Sequence, residues 1–355
     1  MAAEENPIPT AMRAWLYTSV PSTLERALTL SPSAPFPPST ALAPDELLVR
    51  VRAASLNPAD YKVPELGPVR RLIVSAPASP GLDYAGVVVR VGDAAAATFK
   101  TGDRVFGRVE APTPFGSLGE YVVVRRRGCA GIPGEEEAGK EEEFSCVGTA
   151  GLTAYQGIAP YVTPGKGDRV FINGGSGGVG TFSIQIAKAL GCYVVVSCSA
   201  AGAELCRSLG ADEIIDYRTA DVCAELTSKA AASGPFALVV DNVGTSPPGL
   251  YKAADGFLSP EGTFAQIGGE VSLAMLRSVS RALIPRFLGG GSSKWAFIVT
   301  RNVHEELVRL AEWIREGKIR VVIDEVFPFE EAPAAFAKLK EGRTKGKVVV
   351  RVAEK

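Results

Sequence analysis

From Met12 to about Val124 the chain runs in short apolar stretches, alternating or rich in β-branched residues, that proline and glycine interrupt. "MRAWLY", "ELLVRVRAASL", "YAGVVVRVG", "DRVFGRV" and "EYVVV" each read as a strand, because a period of two puts alternate side chains on one face of a sheet. Short strands with frequent breaks predict an all-β, barrel-like region. After Cys146 the rhythm changes. "DRVFING", "CYVVVSCS", "EIIDY", "ALVVDNVG", "GTFAQIGG" and "WAFIVT" are compact apolar runs suited to buried strands, and "VGTFSIQIAKAL" and "AELCRSLG" supply helices between several of them. That alternation predicts an α/β region with a doubly wound parallel sheet. "RSVSRALIPRFLGGGSSK" is rich in Gly and Ser towards its end and reads as a mobile loop. "NVHEELVRLAEWIREGKI" predicts an amphipathic helix, and the following "RVVIDEVFPFEEAPAAFAKLKEGRTKGKVVVRV" returns to strand, helix and strand, expected to pack back on the N-terminal region. The charge run from Gly134 to Phe144, "GEEEAGKEEEF", reads as a solvated loop or helix face.

One break in the pattern carries chemistry. In "NGGSGGVGTFSIQIAKALG" the residues Gly175, Gly177 and Gly180 satisfy G-x-G-x-x-G directly after a strand and at the start of a helix. Glycine allows the tight turn and the close approach of backbone to a pyrophosphate, and the helix start offers free N–H groups to its oxygens. The turn therefore predicts a bound dinucleotide. An acidic side chain at the end of the next strand would accept from the ribose 2′-OH of NAD. Here that strand ends "VVVSCSAAG", with Ser197 and Ser199 and no carboxylate before Glu204. Small hydroxyls suit a 2′-phosphate, so NADPH is favoured over NADH, with Arg218, after Tyr217, the nearest charge partner. The candidate cofactor contacts are Gly175, Ser176, Gly177, Gly178, Val179 and Gly180 in the turn, then Ser197, Ser199, Tyr217, Arg218 and, in "AQIGG", Ile267.

Composition narrows the partners. A chain of 355 residues is long for one domain, and 38 basic against 39 acidic residues leave no electrostatic footprint for nucleic acid or an anionic membrane. No apolar run approaches a membrane span, and "MAAEENPIPT" has the character of neither a secretory signal nor a mitochondrial presequence, so a soluble cytoplasmic protein with a small-molecule substrate is expected. Six cysteines, scattered and mostly within apolar runs, read as buried free thiols rather than disulfides or a metal cluster. The sole histidine, His304, opens the late amphipathic helix without a second histidine for H-E-x-x-H and reads as a helix-surface residue.

The motifs "MRAWLY", "AASLNPADYK", "GLDYAGVVVRVG", "TGDRVFG", "GTAGLTAYQGI", "NGGSGGVGTFSIQIAKALG", "SLGADEIIDYR" and "GRTKGKVVV" follow one another, in order and spacing, across nearly the whole chain. In this the chain resembles the medium-chain dehydrogenase/reductase superfamily, and within it the zinc-free quinone oxidoreductase and enoyl reductase branch, with "NPADYK" and "SCS" most like fungal-type members. The resemblance implies a GroES-like catalytic domain of β-barrel type (1–150 and 301–355), a Rossmann dinucleotide-binding domain (151–300) and a homodimer. It also implies where zinc would sit: relatives that bind it carry cysteine, histidine and cysteine where this chain has Asn57, Leu82 and Thr149, none of which replaces a thiolate or imidazole. The cysteine-rich lobe for structural zinc is likewise missing between Gly102 and Tyr121.

Without a Lewis acid to hold an alkoxide, the favoured reaction adds hydride to an acceptor already activated, a quinone or the C=C of an α,β-unsaturated carbonyl. The protein then has to orient the partners and donate hydrogen bonds to the carbonyl oxygen. The candidate catalytic residues are Asn57, Tyr61, Lys62 and Thr149, offering an amide, a phenol, an ammonium and a hydroxyl; many relatives carry a tyrosine where this chain has Lys62. Asn57 either fixes its Asn-Pro turn or meets substrate, and Asp60 is assigned to backbone in the same turn. Two other functions fit the same motifs: the trans-acting enoyl reductase of a polyketide pathway, and an NADPH-binding sensor with little or no turnover.

Overall fold

The computed structural model describes residues 10–38, 42–134, 139–268 and 293–353, and for residues 68, 70 and 71 the backbone alone. β1 (Ala11–Leu16), α1 (Leu24–Ala27) and β2 (Thr29–Pro35) open the chain, followed by β3 (Glu46–Leu56), α2 (Pro58–Lys62), β4 (Asp83–Val91), β5 (Arg104–Arg108), β6 (Tyr121–Arg125) and β7 (Cys129–Gly131). Then come α3 (Glu141–Ser145), α4 (Gly148–Ile158), β8 (Arg169–Asn173), α5 (Gly178–Ala189), β9 (Tyr193–Cys198), α6 (Ala200–Ser208), β10 (Glu213–Asp216), α7 (Val222–Ser233), β11 (Phe236–Asp241), α8 (Leu250–Ala253), β12 (Leu258–Gln266) and β13 (Lys294–Phe297). The chain closes with α9 (His304–Arg315), β14 (Ile323–Pro328), α10 (Ala332–Lys340) and β15 (Lys347–Arg351).

Each predicted strand run holds a strand. β8 to β13 form a parallel sheet in the order β10-β9-β8-β11-β12-β13 among the described residues. Their residues alternate between two cores: Val170, Ile172, Val194, Val196, Leu238 and Val240 face one, while Phe171, Val195 and Val239 face the other. A strand covered on both sides must be apolar at every position, which is why these runs show no polar alternation. The other large sheet runs β14-β15-β3-β4-β5-β7, with β6 also on β3. β15 pairs antiparallel with β3, so the tail does return to the N-terminal sheet.

Three expectations need adjustment or fall outside what is described. Of the charge run, residues 135–138 lie outside the described residues, but Glu141 and Glu142 belong to α3 and are half-buried by ion pairs with Arg104 (3.0 Å) and Arg351 (2.7 Å), while Phe144 is fully buried. His304 is half-buried, not a surface residue: where α9 crosses β7, its Nδ1 lies 2.7 Å from the Cys129 carbonyl and its ring meets Phe99 edge-on. α9 sends Leu307, Leu310 and Trp313 into the core that Phe182 and Ile184 of α5 also enter. The expected mobile loop lies outside the described residues up to position 292. The six cysteines are free, five of them buried.

Candidate active site

The glycine turn joins β8 to α5, and its glycines do different work. A Cβ on Gly175 would stand 2.1 Å from Val196 Cγ1, and one on Gly180 would stand 2.2 Å from the Gly174 carbonyl oxygen, so no side chain fits at either. At Gly177 the nearest atom is 3.8 Å away, leaving its open face to a ligand. Gly177 is also the N-cap of α5 and supplies no side-chain acceptor to the first-turn N–H groups. That arrangement fits a dinucleotide pyrophosphate. Ser197 lies fully buried beneath the turn: its hydroxyl donates to Asn173 Oδ1 (2.5 Å) and accepts from the Gly174 N–H (3.1 Å). Its contribution is therefore to hold the turn. Asn173 in turn donates to Asp241 Oδ1 (2.8 Å), which also receives the N–H groups of Val243 and Gly244 and so shapes the exit of β11.

The remaining cofactor candidates lie in this turn or just after β9, β10 and β12 of the parallel sheet. Ser176 accepts from the Gly346 N–H (3.0 Å), which ties the turn to the start of β15. Gly178 and Val179 open α5, and Val179 rests on the core. Ser199 caps α6 without a side-chain hydrogen bond. Tyr217 and Arg218 follow β10, both exposed, with the guanidinium carbon 5.9 Å above the phenol ring. Ile267 follows β12, and its N–H donates to the Asp241 carbonyl (2.9 Å).

A second cluster gathers around Asp83, which begins β4 with no exposure. Its Oδ1 accepts from both the N–H (2.7 Å) and the hydroxyl (2.6 Å) of Thr149 on α4. Its Oδ2 accepts from the Asn57 amide (2.8 Å). Lys347, only 3% exposed, brings its Nζ to 3.7 Å from that same oxygen and donates to the Leu56 carbonyl (2.8 Å) and to Asn57 Oδ1 (2.5 Å). Arg108 donates from Nε to Thr149 Oγ (3.2 Å) and from an Nη to Asn302 Oδ1 (3.2 Å). Asp60 closes a capping box, its Oδ2 accepting from the Asn57 N–H (2.7 Å), as assigned from the turn. Its Oδ1 is buried without a partner. Complete burial, then the nearby Asp83 carboxylate, push the Asp60 carboxyl up to about 7, against the opposing pull of the Asn57 N–H, Lys347 and Arg108.

The structure thus brings Asn57 and Thr149 together through Asp83, while the other two candidates lie on α2, which Asn57 caps. The Tyr61 ring lies 4.8 Å from Lys340 Nζ and packs on the core of the N-terminal sheet. Lys62, the last residue of α2, is exposed. Asp83, Lys347 and Arg108 were not singled out in the sequence. Asp83 and Lys347 do leave a trace there: each is a lone charge opening an apolar strand, "DYAGVVV" and "KVVV", where a buried partner is needed. No group of three or more His, Cys, Asp or Glu side chains stands close enough to hold a metal ion among the described residues. Nor is any described helix long and apolar enough to cross a membrane.

Comparison with known proteins agrees with this architecture. A family described as "Alcohol dehydrogenase GroES-like domain" matches residues 43–134, and one described as "Zinc-binding dehydrogenase" matches residues 209–350. The chain is 44% identical over 356 residues to the trans-enoyl reductase pgmF of Aspergillus terreus, covering 98% of each protein. It is 33% identical to the zinc-type alcohol dehydrogenase-like protein C16A3.02c of Schizosaccharomyces pombe, covering 95% of this chain and 96% of that one. The quinone oxidoreductase structure from Coxiella burnetii superposes with a TM-score of 0.79 at 26% identity, over 96% of this chain and 99% of the other. With a GroES-like sheet, a dinucleotide-type parallel sheet and relatives matched from end to end, this chain belongs to the medium-chain dehydrogenase/reductase superfamily.

Proposed function

We propose that this oxidoreductase carries NADPH on its glycine turn and, without zinc, transfers hydride to the C=C of α,β-unsaturated carbonyl compounds or to quinones. One juxtaposition carries the reading. Lys347 lies against the glycine turn, its Cδ 3.0 Å from where a Gly178 Cβ would stand, and its ammonium reaches Asn57 in the cluster built on Asp83. Zinc does not fit that cluster. The resemblance puts its ligands at Asn57, Leu82 and Thr149, yet the hydrogens of Asn57 and Thr149 point at Asp83, and Lys347 already supplies a cation beside that carboxylate. The identity to a trans-enoyl reductase favours conjugated carbonyls over quinones.

Bound NADPH would supply a hydride to the β-carbon while charge moves to the carbonyl oxygen. The chain's own part is to hold the pyrophosphate at Gly177 and the start of α5, and to fix the cluster beside the reacting centre. Lys62, exposed at the end of α2, is free to donate to the carbonyl oxygen or to protonate the α-carbon. Tyr217 and Arg218 receive the 2′-phosphate. The boundaries at 150 and 300, a cytoplasmic location and a homodimer belong to the same reading; β13, the outer strand of the described parallel sheet, with Phe297 exposed in it and Val299 exposed just after it, offers the edge for a dimer.

The test mixes chelator-treated protein with NADPH or NADH and follows nicotinamide absorbance on adding enoyl thioesters or quinones. Oxidation of NADPH with an enoyl thioester, without added zinc, is the expected result; turnover only with zinc, or with none of the acceptors, overturns the reading. Arg218→Ala raises KM for NADPH about tenfold, the loss of one phosphate contact, and leaves NADH unchanged. Equal effects on the two cofactors would remove Arg218 from the phosphate site. A second reading, the trans-acting partner of a polyketide synthase, is favoured by the apolar surface of Leu66, Val69 and Leu72, 50%, 56% and 88% exposed, that follows α2. Carrier-bound acyl chains would then be preferred to free thioesters.

A further inference from the structure

The cluster around Asp83 has an internal polarity. Thr149 has one hydroxyl hydrogen, and at 2.6 Å it goes to Asp83 Oδ1. Of the Asn57 amide hydrogens, one goes to Asp83 Oδ2 at 2.8 Å and the other points at the Ser55 carbonyl at 3.5 Å, while the amide oxygen is taken by Lys347. A carboxylate accepts and never donates, and an ammonium donates and never accepts, so this pair fixes which way round Asn57 and Thr149 stand. Lys347 also connects that setting to the cofactor turn, since its neighbour Gly346 donates to Ser176 and its own stem leans on Gly178.

We propose that Asp83 and Lys347 are positioning residues, a buried ion pair that aligns Asn57 and Thr149 beside the reacting centre and ties that alignment to the dinucleotide-binding turn. The proposal rests on the function given above, but its test has a readout that does not need turnover. Neither residue is required to touch substrate. Their effect on rate comes from geometry, where misplacement on the scale of 1 Å costs about a hundredfold.

The decisive variant is the double substitution Asp83→Asn with Lys347→Met, which removes both charges of the pair together, so that neither is left facing a lost partner. Its thermal melt and its dissociation constant for NADPH, read by nicotinamide fluorescence, report folding and binding. The expected result is a folded protein with NADPH affinity within about fivefold of the parent, bound-NADPH emission shifted towards that of the free cofactor, and kcat at least about 30-fold lower. A folded double variant with unchanged emission and kcat within about threefold of the parent overturns the proposal. Lys347→Arg keeps the charge but puts a planar fork where one ammonium serves both Leu56 and Asn57, and its thermal melt is read beside its kcat. It is expected to lower kcat about tenfold, and parental kcat and emission there overturn the proposal even if the double variant does not fold. If the parent protein turns over no acceptor, the functional reading fails, while the emission of bound NADPH still decides the positioning role.

Discussion

Gly177→Ala is expected to raise the NADPH dissociation constant at least about 30-fold while leaving the thermal melt unmoved, and Gly180→Ala to damage fold and binding together. The two glycines lie three residues apart in one motif, but they meet different neighbours. Gly177 has φ −80° and ψ 178°, a conformation open to alanine, and its added methyl would meet nothing closer than 3.8 Å. On the proposed function the methyl would fill only the space given there to the pyrophosphate, so the penalty appears when ligand binds. At Gly180 the methyl would stand 2.2 Å from the Gly174 carbonyl oxygen and 2.7 Å from Gly175 Cα, both backbone atoms that cannot swing aside. α5 must lift from the turn, at about 2–3 kcal/mol by comparison with other overpacked sites. Fluorescence titration with NADPH beside a thermal melt separates the two outcomes. Equal losses of affinity with unchanged melts would mean that Gly180 serves the ligand and not the packing, and parental affinity in Gly177→Ala would mean that no phosphate sits over the turn.

The same contrast shows what the chain discloses about itself. Gly175, Gly177 and Gly180 are legible in sequence because everything that makes them a turn is local: a strand, a helix start and three residues without side chains. The strands are legible for a related reason, since burial of both faces in β8, β9 and β11 leaves an apolar run wherever they fall. Asp83 and Lys347 are different. Their meeting depends on β15 pairing with β3, placing Val348 opposite Leu56, and on β3 pairing in turn with β4. No local period encodes that. Tyr61 illustrates the converse. Its place one residue before Lys62 suggested the reacting centre, yet the direction of its ring is set by α10, whose Lys340 also pairs with Glu25 and Glu65. The charge run, read as a loop or helix face, does hold a helix, but its ion pairs are not legible there, because Glu141 and Glu142 find arginines on β5 and β15, elements distant in sequence.

Asp60 is the place where this buried chemistry should be visible in stability. The carboxyl is pushed up from 3.8 to about 7, first by burial and then by Asp83. Between about pH 4 and 7 the folded protein therefore holds a proton at Asp60 that the unfolded chain has released, and stability falls as pH rises through that window. The contribution is fully present below the unfolded value near 4 and is lost once pH passes the folded value near 7, where a carboxylate stands buried with Oδ1 unpartnered. Three units correspond to about 4 kcal/mol. Asp60→Asn keeps an oxygen to accept from the Asn57 N–H and carries no charge at any pH. Relative to the parent it is expected to gain stability steadily from pH 4 to 7, to level off above, and at pH 8 to be the more stable protein by up to about 4 kcal/mol. Taking the difference between the two proteins cancels the other raised carboxyls, Asp241 and Glu306, which both share. Urea denaturation midpoints measured from pH 5 to 9 supply the check. Parallel profiles would show that Asp60 is ionised throughout, with Lys347 and Arg108 outweighing burial, and the cluster would then be neutral overall, with the two carboxylates balanced against the two cations.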